Sequence, residues 1–227
     1  MRPSTLLRAP RAAVEGRTSA AVVALAGLLL LPSPGNAESS APLKPGATGS
    51  ALRLQVRTYD RTALAPEIRD AMRQVAGSVL AAAGIQLTWL ACDPGFEAAG
   101  CPAPLERHEL ALRLVRLPAP DAGGTVTLGY SLINPLDRPG ALATIYVDRA
   151  SRLAGQGALD LPTVLGRAAA HEIGHLLLGT NRHSNVGVMR ATWSPADLLR
   201  NRPGDWAFTV EEADRLQRAL MQRTRTR

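Results

Sequence analysis

Three of the four histidines in the chain fall within 13 residues, as His171, His175 and His183. His171 and His175 are four residues apart, so a helix places them one turn apart on the same face. Two imidazole nitrogens on that face can bind one tetrahedral Zn²⁺. Glu172 follows His171 directly, which places its carboxylate beside the metal, where it can accept a proton from water. The pattern therefore predicts a zinc site with an adjacent general base.

A catalytic zinc site needs a third protein ligand and an open position. His183 is the preferred candidate, because Gly179 can end the helix and let the chain return to the metal. Glu211 or Glu212 on a later helix is the competing choice, and Asp197 is a more remote one. We favour His183 because Glu212 is also predicted to cap its own helix. The sequence alone leaves these alternatives open.

The segment from His171 to Ala191 resembles the metzincin zinc peptidases. It combines the His-Glu-x-x-His motif, a glycine that ends the helix, a further histidine and the turn Gly187-Val188-Met189-Arg190-Ala191. The glycine and the further histidine come four and eight residues after His175, whereas the family pattern has them at about three and six. The resemblance implies a general base, Glu172, and a turn methionine, Met189. It implies one catalytic zinc ion with three ligands, His171, His175 and His183.

The same resemblance implies a zinc metalloendopeptidase that acts on a peptide or protein substrate, and the N-terminal segment described below predicts that it is secreted. The implied fold is α+β, with a mixed, mostly parallel five-stranded sheet, a backing helix, an active-site helix and a C-terminal helix. An extended substrate would pair with a strand near Thr125–Leu132, with Gly129 and Tyr130 bordering it. Two alternatives remain: a non-catalytic zinc-containing envelope protein that binds other molecules, and a hydrolase of a non-peptide bond.

The elements that position the motif follow from apolar periodicity. A strand from Leu52, a helix that begins at Pro66 and stops at Gly84, and a strand from Ile85 form a βαβ unit. Such a unit predicts that its two strands are parallel. The spacing of apolar residues predicts the buried face of the helix, which consists of Ile68, Met72, Val75, Val79 and Ala82.

Three further strands are predicted around Glu109–Leu117, Thr125–Ile133 and Ala141–Asp148. The motif helix is predicted from Asp160, its cap, to Leu178, with Pro162 in the first turn. A short helix follows Ser194, and the last helix starts at Thr209 with Glu212 completing a capping box. This order predicts one α+β domain over residues 52–227.

The N-terminal 37 residues have the organisation of a secretory signal peptide. Four arginines precede the apolar stretch Ala20–Leu31, and the small residues Gly35-Asn36-Ala37 follow it. The apolar stretch is shorter than the roughly 20 residues that span a bilayer. We therefore predict a signal peptide at residues 1–37, a flexible leader at 38–51 and an exported protein, periplasmic or extracellular. An uncleaved N-terminal anchor is the alternative.

Composition adds limits. The chain has 227 residues, of which 46% are hydrophobic and 20% charged, as in an ordinary globular domain. Without residues 1–37, which carry four arginines and one glutamate, the formal net charge falls from +7 to +4. The arginines form no basic stripe, so nucleic acid is not an expected partner. The tail with Arg223, Arg225 and Arg227 is predicted to be a solvated, frayed end.

The two cysteines, Cys92 and Cys101, lie in a turn-rich loop. In an exported protein such a pair is expected to form a disulfide. Two thiolate metal ligands are the alternative, although no second cysteine pair completes such a site. Stable membrane insertion is not expected once the signal peptide is removed.

Overall fold

The computed structural model describes residues 52–93, 95, 98, 100–117, 127–134, 138–156 and 159–225. The predicted signal peptide and leader therefore lie outside the described residues. A short 3-10 helix, Pro203–Trp206, precedes the last helix. The other elements are β1 Leu52–Asp60, α1 Pro66–Ala82, β2 Ile85–Ala91, β3 Glu109–Val115, β4 Gly129–Asn134, β5 Arg138–Tyr146, α2 Val147–Gln156, α3 Leu161–Leu178, α4 Pro195–Arg200 and α5 Val210–Arg225.

The five strands form one mixed sheet in the order β2-β1-β3-β5-β4. β1 pairs in parallel with β2 and β3, and β3 pairs in parallel with β5. β4 runs antiparallel to β5 and lies at one edge of the sheet. The predicted α+β class, with a mostly parallel five-stranded sheet, is confirmed, and so is the predicted parallel pairing of β1 with β2.

Most predicted boundaries agree with the structure. α1 begins at Pro66, and Gly84, with a φ of 79°, follows its end. Only glycine adopts this left-handed conformation without strain. β3 ends at Val115, two residues earlier than predicted. β4 begins at Gly129, and residues 125 and 126, where the strand was predicted to begin, lie outside the described chain.

The predicted buried face of α1 is only partly right. The helix packs against both β2 and α3, so its apolar residues cover a wide arc and periodicity alone does not locate the centre of that arc. Among the five predicted positions only Met72 is fully buried, and Ala82 is exposed. The fully buried line is Met72, Ala76 and Leu80.

Helix α2 was not predicted from the sequence. A strand was expected to continue to Asp148, but β5 ends at Tyr146 and α2 starts at Val147. The buried side of α2 consists of Val147, Ala150 and Ala154, at helical spacing. Two alanines give a weak apolar signal, and α2 is stabilised by packing against α3.

α3 packs closely against α1 because Gly166 has no side chain. A Cβ at this position would lie 2.5 Å from Val75 Cβ and 2.7 Å from the carbonyl oxygen of Met72. The two helix backbones therefore approach each other here more closely than any larger residue allows. This contact and the sheet enclose α3, which carries the histidine motif.

The C-terminal tail was predicted to be solvated, and for Arg223 this is wrong. Arg223 is half-buried, and its Nη2 donates to the carbonyl oxygens of Gly140, at 2.7 Å, and Leu176, at 3.0 Å. Leu176 lies in the last turn of α3, where carbonyl groups lack partners within the helix. A guanidinium group can supply those hydrogen bonds. Arg225 is exposed, as predicted, and residue 227 is outside the described chain.

The predicted disulfide is confirmed. Cys92 and Cys101 are joined, with their Cα atoms 5.4 Å apart, so neither sulfur is available as a thiolate metal ligand. None of the helices in the described part of the chain combines the length and the hydrophobicity needed to cross a bilayer.

Candidate metal centre

α3 holds two of the predicted ligands inside the domain. Every residue of α3 from Val164 to Leu177 is buried. The helix begins after Asp160, as predicted, although the Asp160 side chain makes no capping hydrogen bond within the described chain. Gly179 ends the helix with a φ of 62°, and its N–H donates to the carbonyl oxygen of His175 at 2.9 Å. The predicted glycine stop is confirmed, and it turns the chain toward His183.

The three predicted histidine ligands converge. His175 Nε2 lies 3.0 Å from His171 Nε2 and 3.3 Å from His183 Nε2. Two ligand atoms of a tetrahedral zinc ion are about 3.3 Å apart when each metal–nitrogen bond is about 2.0–2.1 Å. Within the described ranges these three residues are the only group of histidine, cysteine or carboxylate side chains arranged to hold a metal ion.

Backbone carbonyl groups set the protonation pattern of the two helical histidines. His171 Nδ1 lies 2.8 Å from the carbonyl oxygen of Val188, and His175 Nδ1 lies 2.7 Å from that of Thr180. A carbonyl oxygen only accepts, so each Nδ1 carries a proton and donates it. Each Nε2 then presents a lone pair. Two lone pairs 3.0 Å apart repel each other unless a cation lies between them, which is the arrangement expected of metal ligands.

Burial keeps these imidazoles neutral. It lowers the pKa of His171 to about 4, and it also lowers the pKa of His175. The neutral imidazole is the form that binds a metal. His183 differs in that its side chain is exposed and lies on the loop after α3.

The competing third ligands are not part of the cluster. Glu211 is exposed on α5, and Glu212 accepts hydrogen bonds from the Thr209 N–H and the Ser184 hydroxyl. Asp197 forms ion pairs with Arg190 and Arg200. Among the candidates, only His183 lies within ligand distance of the helical pair.

Glu172 lies against the edge strand β4. The Ser131 hydroxyl lies 2.7 Å from Glu172 Oε2 and 2.8 Å from the Glu172 carbonyl oxygen. A Cβ at Gly129 would lie 3.1 Å from Glu172 Cγ, so the glycine makes room for this side chain. Burial raises the pKa of Glu172 to about 7, and the hydrogen bond from Ser131 acts in the opposite direction.

The turn that contains Met189 lies directly beneath α3. Gly187 adopts a φ of 72°, and Met189 is buried. A Cβ at Gly174, between the two helical histidines, would lie 2.7 Å from Met189 Sδ. The methionine sulfur therefore fills the space that Gly174 leaves, next to the histidine cluster. The same turn presents the Val188 carbonyl group to His171.

Gly129 and Tyr130, the two residues predicted to border a substrate, lie on opposite faces of β4. Gly129 and Ser131 face α3, and Tyr130 between them points to the other side of the sheet. There its hydroxyl accepts from Arg113 Nη2 at 2.9 Å. The Tyr130 side chain therefore lies on the face away from Glu172, and its contact with a substrate stays a prediction.

Two features of the site were not predicted from the sequence: Ser131, and the backbone carbonyl groups that receive the imidazole Nδ1 protons. Trp193 and Trp206 were expected either to flank the cleft or to pack in the core. The Trp193 ring lies 5.8 Å from that of His171 and 5.1 Å from that of Trp206. Ser131 contacts Glu172 because β4 pairs with β5 at the edge of the sheet. No local sequence pattern predicts this contact.

Solved structures that resemble this chain include three from different organisms. Archaemetzincin from Methanopyrus kandleri is 16% identical, with a TM-score of 0.47, over 77% of this chain and 99% of that one. A zinc-dependent peptidase from Methanocorpusculum labreanum is 15% identical, with a TM-score of 0.46, over 71% and 99%. Metalloproteinase-II from Bacteroides fragilis is 13% identical, with a TM-score of 0.44, over 77% and 55%. No protein-family model and no curated protein matches. At these similarities the chain is assigned to no family.

Proposed function

We propose that the chain is an exported zinc metallopeptidase of the metzincin type. The observation that carries the proposal is the convergence of three histidine Nε2 atoms, two of them with lone pairs fixed by backbone carbonyl groups, next to a buried glutamate. Three imidazoles with an open fourth position are a ligand set of catalytic zinc. His171, His175 and His183 would hold the ion. When bound, zinc would supply Lewis acidity that polarises a peptide carbonyl group and lowers the pKa of water.

Glu172 is the proposed general base. It follows His171 on the helix, so its carboxylate lies beside the ligand cluster and is not part of it. Ser131 holds Oε2, whereas Oε1 has no hydrogen-bond partner among the described residues. Oε1 would accept a proton from the attacking water, and the same carboxyl group would return it to the departing amine.

The position of β4 supports a peptide substrate. β4 is the last strand of the sheet, and β5 is its only partner within the described ranges. The backbone of an edge strand can pair with an extended peptide. Such a peptide would run beside Gly129, which leaves room for the Glu172 side chain, and Ser131, which hydrogen-bonds it. The scissile bond would then lie close to the proposed base.

The Ser131 hydroxyl is expected to contribute to turnover. The Ser131→Ala variant is expected to lower kcat about 10-fold, because a hydrogen bond to a charged group contributes about 1.5–3 kcal/mol, part of it retained through water. KM and zinc affinity are expected to stay unchanged, and Ser131→Thr is expected to keep most of the activity. Steady-state kinetics at matched zinc content check this. Unchanged kcat in Ser131→Ala would show that Glu172 needs no such support.

Export is the second part of the proposal. We propose that residues 1–37 are removed as a signal peptide and that residues 52–227 form one domain after a leader at 38–51. The Cys92–Cys101 disulfide supports export, because such bonds persist in oxidising compartments. N-terminal sequencing of the exported protein is expected to give Glu38 as the first residue. A start at Met1 would instead indicate that the segment is retained.

The test of the activity uses the mature chain, residues 38–227, with a diverse peptide pool and mass spectrometry of the fragments. Zinc-loaded protein is expected to cut peptides, a chelator to stop the cutting, and added zinc to restore it. Folded, zinc-loaded protein that cuts no peptide would contradict the peptidase proposal. The two alternative hypotheses, a zinc-containing binding protein and a hydrolase of another kind of bond, would then be preferred.

A further inference from the structure

His183 is the least supported of the three ligands. His171 and His175 lie on a buried helix, and each has its Nδ1 tied to a backbone carbonyl group. His183 is exposed on a loop, and in the described part of the chain its Nδ1 has no such partner. Because the ligand cannot be placed by its own helix, it must be placed by its neighbours along the chain.

Ser184, the residue after His183, is held in place by two hydrogen bonds. Its N–H donates to the carbonyl oxygen of Met189 at 2.9 Å, which closes the turn beneath α3. Its hydroxyl donates to Oε1 of Glu212, on a different element. Ser184 is thus held through its backbone N–H and through its side-chain hydroxyl, one residue away from the ligand.

Glu212 is well placed to act as the fixed end of this contact. Its side chain is buried, with 7% of its surface exposed. Its Oε2 accepts from the Thr209 backbone N–H at 2.9 Å, which fixes its rotamer, and its own backbone N–H donates to the Thr209 hydroxyl at 3.2 Å, which completes a capping box. Leu216 and Leu220 anchor the rest of α5 in the core. A helix cap alone needs one carboxylate oxygen, which leaves the other for Ser184.

A second set of contacts joins the same two segments. The Val188 N–H donates to the carbonyl oxygen of Ala207 at 3.0 Å. A Cβ at Gly187 would lie 2.4 Å from that same oxygen, so the two backbones are in close contact. Val188 is also the residue whose carbonyl group orients His171. Residues 207–212 therefore support the turn that serves two of the three ligands.

We propose that Glu212 is a positioning residue for the metal centre, acting through Ser184 on His183. This inference rests on the proposed zinc site and extends it: the first turn of α5 sets the affinity for zinc, although it supplies no ligand. Partners that hydrogen-bond a metal ligand directly typically change metal affinity by about 10–100-fold when they are removed, and a contact that acts through the next residue is expected at the lower end of that range.

The experiment separates the contact with Ser184 from the cap of α5. Ser184→Ala removes the contact and leaves the capping box, whereas Thr209→Ala weakens the cap and leaves the contact. Zinc affinity is measured by competition with a chromophoric chelator at fixed pH, and the thermal unfolding of the metal-free proteins is measured in parallel. Ser184→Ala is expected to raise the Kd for zinc about 10-fold. Ser184→Thr, which keeps a hydroxyl, is expected to restore most of the affinity.

Thr209→Ala is expected to lower the unfolding temperature and to leave the Kd for zinc within about threefold of the wild type. Equal Kd values for the wild type and Ser184→Ala would overturn the inference while leaving the proposed function intact. An equal loss of affinity in both variants would also overturn it, because the stability of α5 would then explain the effect. A wild-type protein that binds no zinc would overturn the metal centre itself.

Discussion

Replacement of Glu172 by glutamine is expected to lower kcat for peptide cleavage by about 10²–10⁴-fold while zinc remains bound. Glutamine keeps the length of the side chain and can still accept the hydrogen bond from Ser131. It cannot accept a proton from water at neutral pH. The histidine cluster contains no atom of Glu172, so the metal ligands are unchanged.

The folded state should tolerate this change. Burial raises the pKa of Glu172 to about 7, which shows that the environment disfavours its ionised form. A neutral amide of the same shape therefore costs little, and the unfolding temperature is not expected to fall. A matched control is Glu211→Gln, which changes an exposed carboxylate on α5 and should leave kcat unchanged.

Zinc content and initial rates of both variants are measured on the same preparations. Wild-type kcat in zinc-loaded Glu172→Gln would mean that another group accepts the proton. Loss of zinc from Glu172→Gln would mean that the carboxylate supports the ligands, which the hydrogen bonds of this structure do not indicate.

The part of the site that lies on one helix is readable from the sequence. The four-residue spacing of His171 and His175 and the glycine that ends α3 are local features, and the structure confirms both. The strands around α1 were predicted for the same reason, since the period of apolar residues is also local. Helix α2 was not predicted, because two of its buried residues are alanines, which are only weakly hydrophobic and give little amphipathic periodicity.

The part of the site that depends on tertiary contacts is not readable in this way. Ser131 and Glu172 are 41 residues apart and meet only because β4 is the edge strand beside α3. Glu212 was correctly predicted to cap its helix, yet its second hydrogen bond to Ser184 spans 28 residues. Arg223 was assigned to a frayed end because nothing in the tail indicates that α5 would bring it to α3. Sequence spacing fixes neighbours on one element, whereas pairing between elements depends on the whole fold.

His183 was predicted from its spacing after α3, but its position beside His175 depends on the loop that follows the helix. Its removal therefore tests the identity of the third ligand and the conformation of that loop together. His183→Ala is expected to raise the Kd for zinc by more than about 100-fold, since it removes a ligand and not merely a contact to one. The metal-free protein should be about as stable as the wild type, because the His183 side chain is exposed and its ring contacts are with His171 and His175, whose hydrogen bonds to backbone carbonyl groups remain. His108→Ala is the matched control, since His108 is exposed in a turn outside the cluster.

Thermal unfolding with and without zinc gives an independent measure of the same loss. A ligand that binds only the folded state stabilises it in proportion to the logarithm of its concentration over Kd. When the zinc concentration exceeds the Kd of both the wild type and the variant, a 100-fold higher Kd lowers the stabilisation of the folded state by about 2.7 kcal/mol. The wild type and His108→Ala should therefore show a larger zinc-induced rise in unfolding temperature than His183→Ala. An equal rise in all three proteins would mean that two histidines on α3 suffice for binding or that a residue outside the described ranges completes the site. Under either explanation His183 would not be a zinc ligand, and both the proposed ligand set and the proposed role of Glu212 would be wrong.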